Sequence, residues 1–145
     1  MEKALVESLP HDYGILLVED NPDDELLTLR ALKGLPKPCS VTCARDGEEA
    51  IRRLESGYRP SLVLLDLKLP KLNGLEVLER LRASPELRHV PVVVLTSSRE
   101  WIDVREAYRL GANSFVQKPV EFEDFIETVR LLGRYWLAKN IGPVS

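Results

Sequence analysis

A doubly wound α/β fold, (βα)5 with a single parallel sheet, is what this sequence predicts, on three observations. Ile15-Leu16-Leu17-Val18, Leu62-Val63-Leu64-Leu65 and Val92-Val93-Val94-Leu95 are unbroken apolar runs. Runs with no polar alternation suit strands covered on both faces, the habit of parallel sheets. Segments with helical spacing of leucines lie between them. Each run also ends in polar groups: Glu19-Asp20 after the first, Asp66 after the second, Thr96 after the third. Open α/β sheets place their functional groups at the carboxyl ends of strands.

The elements follow in order. Pro22 opens the first helix with Asp20 or Asn21 as its cap, and Leu26, Leu29 and Leu32 repeat on one stripe before Gly34 and the Pro36–Pro38 turn. Val41 and Cys43 alternate with polar neighbours in a short second strand, and Asp46-Gly47 leads into a helix reaching about Ser56. Gly57 and Pro60 close that helix, and residues 61–65 form the third strand. A loop from Asp66 to Asn73 precedes a helix marked by Leu75, Leu78 and Leu81, which ends before Pro85. Pro91 introduces the fourth strand at 92–95, a helix runs from Arg99 to Leu110 and stops at Gly111, residues 114–117 form a fifth strand, and the last helix runs from Glu121 to about Ala138. Parallel strands joined by right-handed crossovers put helices on both faces. At this size the natural arrangement is flavodoxin-like, with strand order 2-1-3-4-5 and strands one, three and four adjacent. The reading gives one domain at 13–138, an N-terminal tail at 1–12, a C-terminal tail at 139–145 and no output domain.

Composition narrows the function classes. The chain has 145 residues, 44% hydrophobic and 30% charged, with a net charge of −3, which argues against nucleic acid as the main partner. No apolar run reaches membrane-spanning length, and residues 1–12 hold no cationic segment followed by an apolar one, so a cytoplasmic protein is expected. Cys39 and Cys43 are the only cysteines; without a second ligand pair they read as half-buried strand residues in a reducing compartment, not as a zinc site.

Glu19, Asp20 and Asp66 would crowd three carboxylates into one cleft. Uncompensated, such acids repel and one must take up a proton. A divalent cation resolves this, and all-oxygen ligands without histidine favour Mg²⁺. The plainer alternative, for Asp20 alone, is that it only caps the following helix. Thr96 ends the fourth strand with a hydroxyl, and Lys118 follows the fifth strand immediately before Pro119. Separately they would be a helix cap and a surface charge. Together with the acids they suit a phosphoryl group, with Asp66 as nucleophile and Lys118, Thr96 and the metal spreading its charge.

These residues have a known counterpart. Over residues 13 to about 133 the chain resembles the receiver domain of bacterial two-component response regulators, through Val18-Glu19-Asp20, Asp46-Gly47, Leu65-Asp66 with Pro70 and Gly74, Leu95-Thr96-Ser97, and Gly111-Ala112 leading to Phe115 and Lys118-Pro119. The resemblance implies that Asp66 is the phosphoacceptor, charged by a phosphohistidine on a sensor histidine kinase. It implies that Asp20 ligates Mg²⁺ directly, Glu19 through water and Lys68 through its main-chain carbonyl. Lys118 would bind the phosphate, with a cis peptide before Pro119; Thr96 and Phe115 would be the switch pair; Ser97 would leave the phosphate reachable. Three departures stand out: Glu19 where Asp is commoner, Phe115 without a tyrosine hydroxyl, and Lys68 two residues past the acceptor. Side chains at Lys68 and Ser98 tune hydrolysis in this family, so these positions bear on phosphate lifetime.

With no output domain expected, the signal would leave through the surface. In the last helix Phe122, Phe125, Ile126, Val129, Leu132, Gly133 and Trp136 follow the helical period and would cover the sheet, while Leu131 and Tyr135 form a second apolar strip; Trp101 is another large apolar candidate. The opening Glu19-Asp20-Asn21-Pro22-Asp23-Asp24 and the Tyr135-Trp136 ending are similar to stand-alone regulators of bacterial phytochrome kinases, which implies a homodimer through the fourth helix, fifth strand and fifth helix. Three other classes compete. An aspartate-nucleophile phosphohydrolase would want an acid where Lys68 stands, and an FMN carrier would want a Ser/Thr/Gly-rich loop where Asp20–Asp24 stands. A metal-free pseudo-receiver would not need the intact acidic set.

Overall fold

The computed structural model describes residues 13–140; both expected tails, apart from residues 139 and 140, lie outside them. Five parallel strands, β1 (Tyr13–Val18), β2 (Cys39–Ala44), β3 (Leu62–Leu65), β4 (Val92–Thr96) and β5 (Ser114–Gln117), form one sheet in the order β2-β1-β3-β4-β5. Helices α1 (Pro22–Lys33), α2 (Gly47–Glu55), α3 (Gly74–Ala83), α4 (Trp101–Arg109) and α5 (Phe122–Arg134) follow the strands in turn. The flavodoxin-like expectation holds, and β1, β3 and β4 are neighbours, with Val18 opposite Leu65 and Leu65 opposite Val94.

Alternation along the strands divides the core. Leu16, Val18, Val63 and Leu65 point to one face and pack with Ala50, Ile51 and Leu54 of α2 and Val77, Leu78 and Leu81 of α3. Ile15, Leu17, Leu62, Leu64, Val93 and Leu95 point to the other, against Ala31 and Leu32 of α1 and Phe125 and Val129 of α5. With apolar residues required on both faces, the central strands could not alternate in polarity. The strand ends are therefore fixed by two layers of packing, and the groups just beyond them are held to the same edge.

Some local expectations need correction. Leu26 is 61% exposed; the buried stripe of α1 is Thr28, Ala31 and Leu32, and Leu26 lies across the helix from it. Phe122 is 55% exposed because it is the first residue of α5, and Phe125, one turn later, is the first to reach the sheet. α4 begins at Trp101, two residues after the expected start. α5 does not continue unchanged to Ala138: Tyr135–Lys139 form a π-helical turn, with the Asn140 N–H donating to the Tyr135 carbonyl at 2.6 Å. The wider turn still puts Leu137 into the core, with Trp136 half-buried beside it. Finally, the described residues hold no cis peptide, so Lys118–Pro119 is trans, the isomer that X–Pro bonds intrinsically favour.

Candidate active site at the carboxyl edge of the sheet

Main-chain hydrogen bonds carry the acids to one edge. The Glu19 N–H donates to Ala44 at 2.9 Å and the Asp66 N–H donates to Val18 at 3.0 Å, extending the β1–β2 and β1–β3 ladders by one residue. Glu19, Asp66 and Thr96 are all buried. Asn21, not Asp20, caps α1: its side-chain oxygen accepts from Asp23 N–H at 2.9 Å and Asp24 N–H at 3.1 Å. The alternative in which Asp20 serves as a cap is thus not realised. Ligand oxygens of Glu19, Asp20 and Asp66 all lie within 4.8 Å of one another.

Gly74 explains how α3 approaches the acceptor loop. A Cβ there would lie 2.3 Å from the Asp66 carbonyl oxygen and 2.6 Å from the Leu67 Cα, and the Gly74 N–H donates to the Leu67 carbonyl at 2.9 Å. Any side chain would push the helix off this backbone.

Lys118 is the centre of the charge arrangement. Its side chain is 8% exposed, and Nζ lies 2.7 Å from Glu19 Oε1, 2.8 Å from Asp66 Oδ2 and 2.9 Å from Asp24 Oδ2. An ammonium has three N–H donors, and here each meets a different acid. Burial pulls the ammonium's pKa down, but the hydrogen bonds it donates to Asp66, Glu19 and Asp24 outweigh it and the net shift is upward. For Glu19, burial dominates: with Asp66 adding repulsion against the pull of Lys118, its carboxyl is pushed up to about 7. The other oxygen of Asp66 accepts from the Thr96 hydroxyl at 2.8 Å and from the Lys68 N–H at 3.2 Å.

The expected set therefore converges: Glu19, Asp20, Asp66, Thr96, Lys118 and the Lys68 main chain share one cleft, with the Lys68 side chain exposed. Phe115 is half-buried beside it, packed on Leu67, Val94 and Ala107. Trp101, Leu131 and Tyr135 stand elsewhere on the surface, 68%, 64% and 50% exposed. Asp24 was missed by the sequence reading. Its position one turn after Asp20, in a first helical turn where acids are favoured by the helix dipole, was the available signal.

Glu19, Asp20 and Asp66, with no histidine or thiol among them, form a donor set that fits a hard divalent cation. The raised pKa of Glu19 gives a test. In metal-free protein the folded state holds a proton on Glu19 between about pH 4.5 and about 7 that the unfolded state has released. Stability contributed by this group therefore falls as pH rises through that window. Urea unfolding in EDTA should show the decline, Glu19→Gln should remove it, and saturating Mg²⁺ should flatten it.

Residues 15–130 match the response regulator receiver domain, and the chain belongs to that family. It is 45% identical over 136 residues to the probable methanogenesis regulatory protein FilR2 of Methanothrix harundinacea, covering 90% of this chain and 88% of that one. It is 38% identical over 137 residues to response regulator Rcp1 of Synechocystis, covering 90% and 93%, and the Mn²⁺-bound structure of Rcp1 superposes with a TM-score of 0.86 at 36% identity, covering 91% and 99%. The bacteriophytochrome response regulator AtBRR is 49% identical with a TM-score of 0.70, covering 91% and 100%. Among the described residues no helix is long and apolar enough to cross a membrane.

Proposed function

We propose that this receiver accepts a phosphoryl group on Asp66 from the phosphohistidine of a sensor histidine kinase. An Asp66 carboxylate oxygen forms the new P–O bond as the P–N bond to histidine breaks, and the freed imidazole keeps the electron pair and takes a proton from solvent. Glu19, Asp20, Asp66 and the Lys68 carbonyl would hold Mg²⁺, which when bound neutralises charge on the phosphoryl oxygens. Lys118 exchanges its Asp66 hydrogen bond for one to a phosphoryl oxygen, keeping Glu19 and Asp24 as anchors. The Thr96 hydroxyl follows the phosphoryl group, and Phe115 fills the space it leaves, by packing alone. The same groups serve attack by water, so the protein assists its own dephosphorylation while being no enzyme toward other substrates. The observation that carries this reading is Lys118 Nζ held 2.8 Å from Asp66 Oδ2 in a side chain only 8% exposed. Incubation with acetyl phosphate and Mg²⁺ tests it: one phosphoryl group per chain should appear by intact mass, and none would overturn it.

The functional unit is taken as residues 13–138, signalling through its own surface in the cytoplasm; the free thiols of Cys39 and Cys43 fit a reducing compartment. The name of AtBRR makes a bacterial phytochrome the first kinase to try, against FilR2, whose name points to another signal. For the dimer, Trp101 on α4, Leu131 on α5 and Tyr135 on the π-helical turn after it supply exposed apolar area, with Tyr135 stacked edge-on against Trp136 at 5.1 Å. Leu131→Glu combined with Tyr135→Glu should leave a monomer by light scattering where the parent chain is dimeric; an unchanged dimer would move the interface elsewhere.

A further inference from the structure

Between β4 and α4 runs a short loop, Ser97 to Glu100, whose hydrogen bonds lead from the site to the helix. Thr96 Oγ1 donates to Asp66 Oδ1 at 2.8 Å and accepts from the Ser98 N–H at 3.4 Å. Ser98 is 7% exposed. Its hydroxyl donates to Asp103 Oδ2 at 2.5 Å and accepts from the Glu100 N–H at 3.3 Å. Asp103 lies in the first turn of α4, whose N-cap residue, Glu100, makes no side-chain cap hydrogen bond. The fixed link from strand end to helix is thus Ser98 to Asp103, a short charge-assisted bond. It also accounts for the late start of α4, since residues 98–100 are folded around the serine hydroxyl. Two residues before Asp103 stands Trp101, with the Arg105 guanidinium 5.9 Å from its ring centroid.

We infer that Asp103 is a positioning residue: by holding Ser98 it ties the Thr96 loop to α4, so that the state of Asp66 is read out at Trp101. The inference rests on the phosphoacceptor reading above. When Asp66 is esterified, the Thr96 hydroxyl changes partner, and the Ser98 main chain bonded to it moves too. With the Ser98–Asp103 bond in place that movement reaches the first helical turn. Without it the loop adjusts alone.

Trp101 and Trp136 are the only tryptophans, so a Trp136→Phe background isolates Trp101 fluorescence, followed during phosphorylation by acetyl phosphate and Mg²⁺ with intact mass in parallel. The background protein should gain one phosphoryl group and change its Trp101 emission and acrylamide quenching. Asp103→Ala should gain the group and lose the fluorescence change. Asp103→Asn, whose amide oxygen can still accept from Ser98, should recover it. Ser98→Ala should lose it as Asp103→Ala does, and the doubly substituted chain should lose no more than either. A full Trp101 response in phosphorylated Asp103→Ala, no recovery in Asp103→Asn, or a silent Trp101 in the phosphorylated background would each overturn the inference. Absence of any phosphoryl group in the background would instead remove the acceptor reading, and the coupling with it.

Discussion

Asp66→Asn is expected to abolish phosphorylation by acetyl phosphate completely while leaving the fold intact. The amide has nearly the shape of the carboxylate but lacks the anionic oxygen that attacks phosphorus. Its oxygen can still accept from the Thr96 hydroxyl and the Lys68 N–H, as Asp66 Oδ1 does at 2.8 and 3.2 Å. The main-chain bond from residue 66 to Val18 is untouched. The cost falls on the other side, where the amide N–H₂ replaces Oδ2 in front of the Lys118 ammonium; Glu19 and Asp24 remain to hold that charge. Mg²⁺ affinity should fall with the loss of one of the three clustered carboxylates. Intact mass after incubation with acetyl phosphate and Mg²⁺ reads the result. If the variant still gains a phosphoryl group, Asp66 is not the acceptor, and Asp20, the exposed member of the cluster, becomes the first residue to map.

The site was legible in the sequence because its residues follow strands that have only one way to be buried. Apolar runs covered on both faces fix where β1, β3 and β4 end, so Glu19, Asp66 and Thr96 had to share an edge once the strand order was set. Asp24 did not follow from that logic. It sits inside α1, and only the helix's approach to the β5–α5 connection brings it to Lys118. The misread exposures have a related cause. Phe122 has helical spacing, but spacing does not record how far along the helix the neighbouring element reaches. Leu26 and Leu32 are two steps of three apart, and such steps drift off one face of a helix with 3.6 residues per turn. The π-helical turn at Tyr135–Lys139 left no compositional mark. Asp103 was passed over because its partner Ser98 reads as a loop residue until the chain is folded.

Lys118→Ala should be the most destabilising substitution in the site, and the loss should depend on metal. In EDTA it strands Glu19, Asp24 and Asp66 together, two of them almost wholly buried, with no cation between them. Breaking a buried ion pair from one side typically costs about 3–5 kcal/mol, because the remaining charge is left without compensation. Protonation relieves part of this, and Glu19, already pushed up to about 7, is the first to take the proton. Mg²⁺ replaces the lost positive charge, so the variant should bind it more tightly than the parent chain does. A ligand that binds only the folded state at about 100 times its Kd adds about 2.7 kcal/mol, enough to recover much of the deficit. Lys118→Met, which keeps the length of the side chain, separates lost charge from lost packing and should behave nearly the same. Urea unfolding of both variants in EDTA and in excess Mg²⁺ reads the difference. Equal destabilisation in the two conditions would mean that Lys118 holds the fold by packing, and that the acids around it are not the electrostatic counterpart of a metal site.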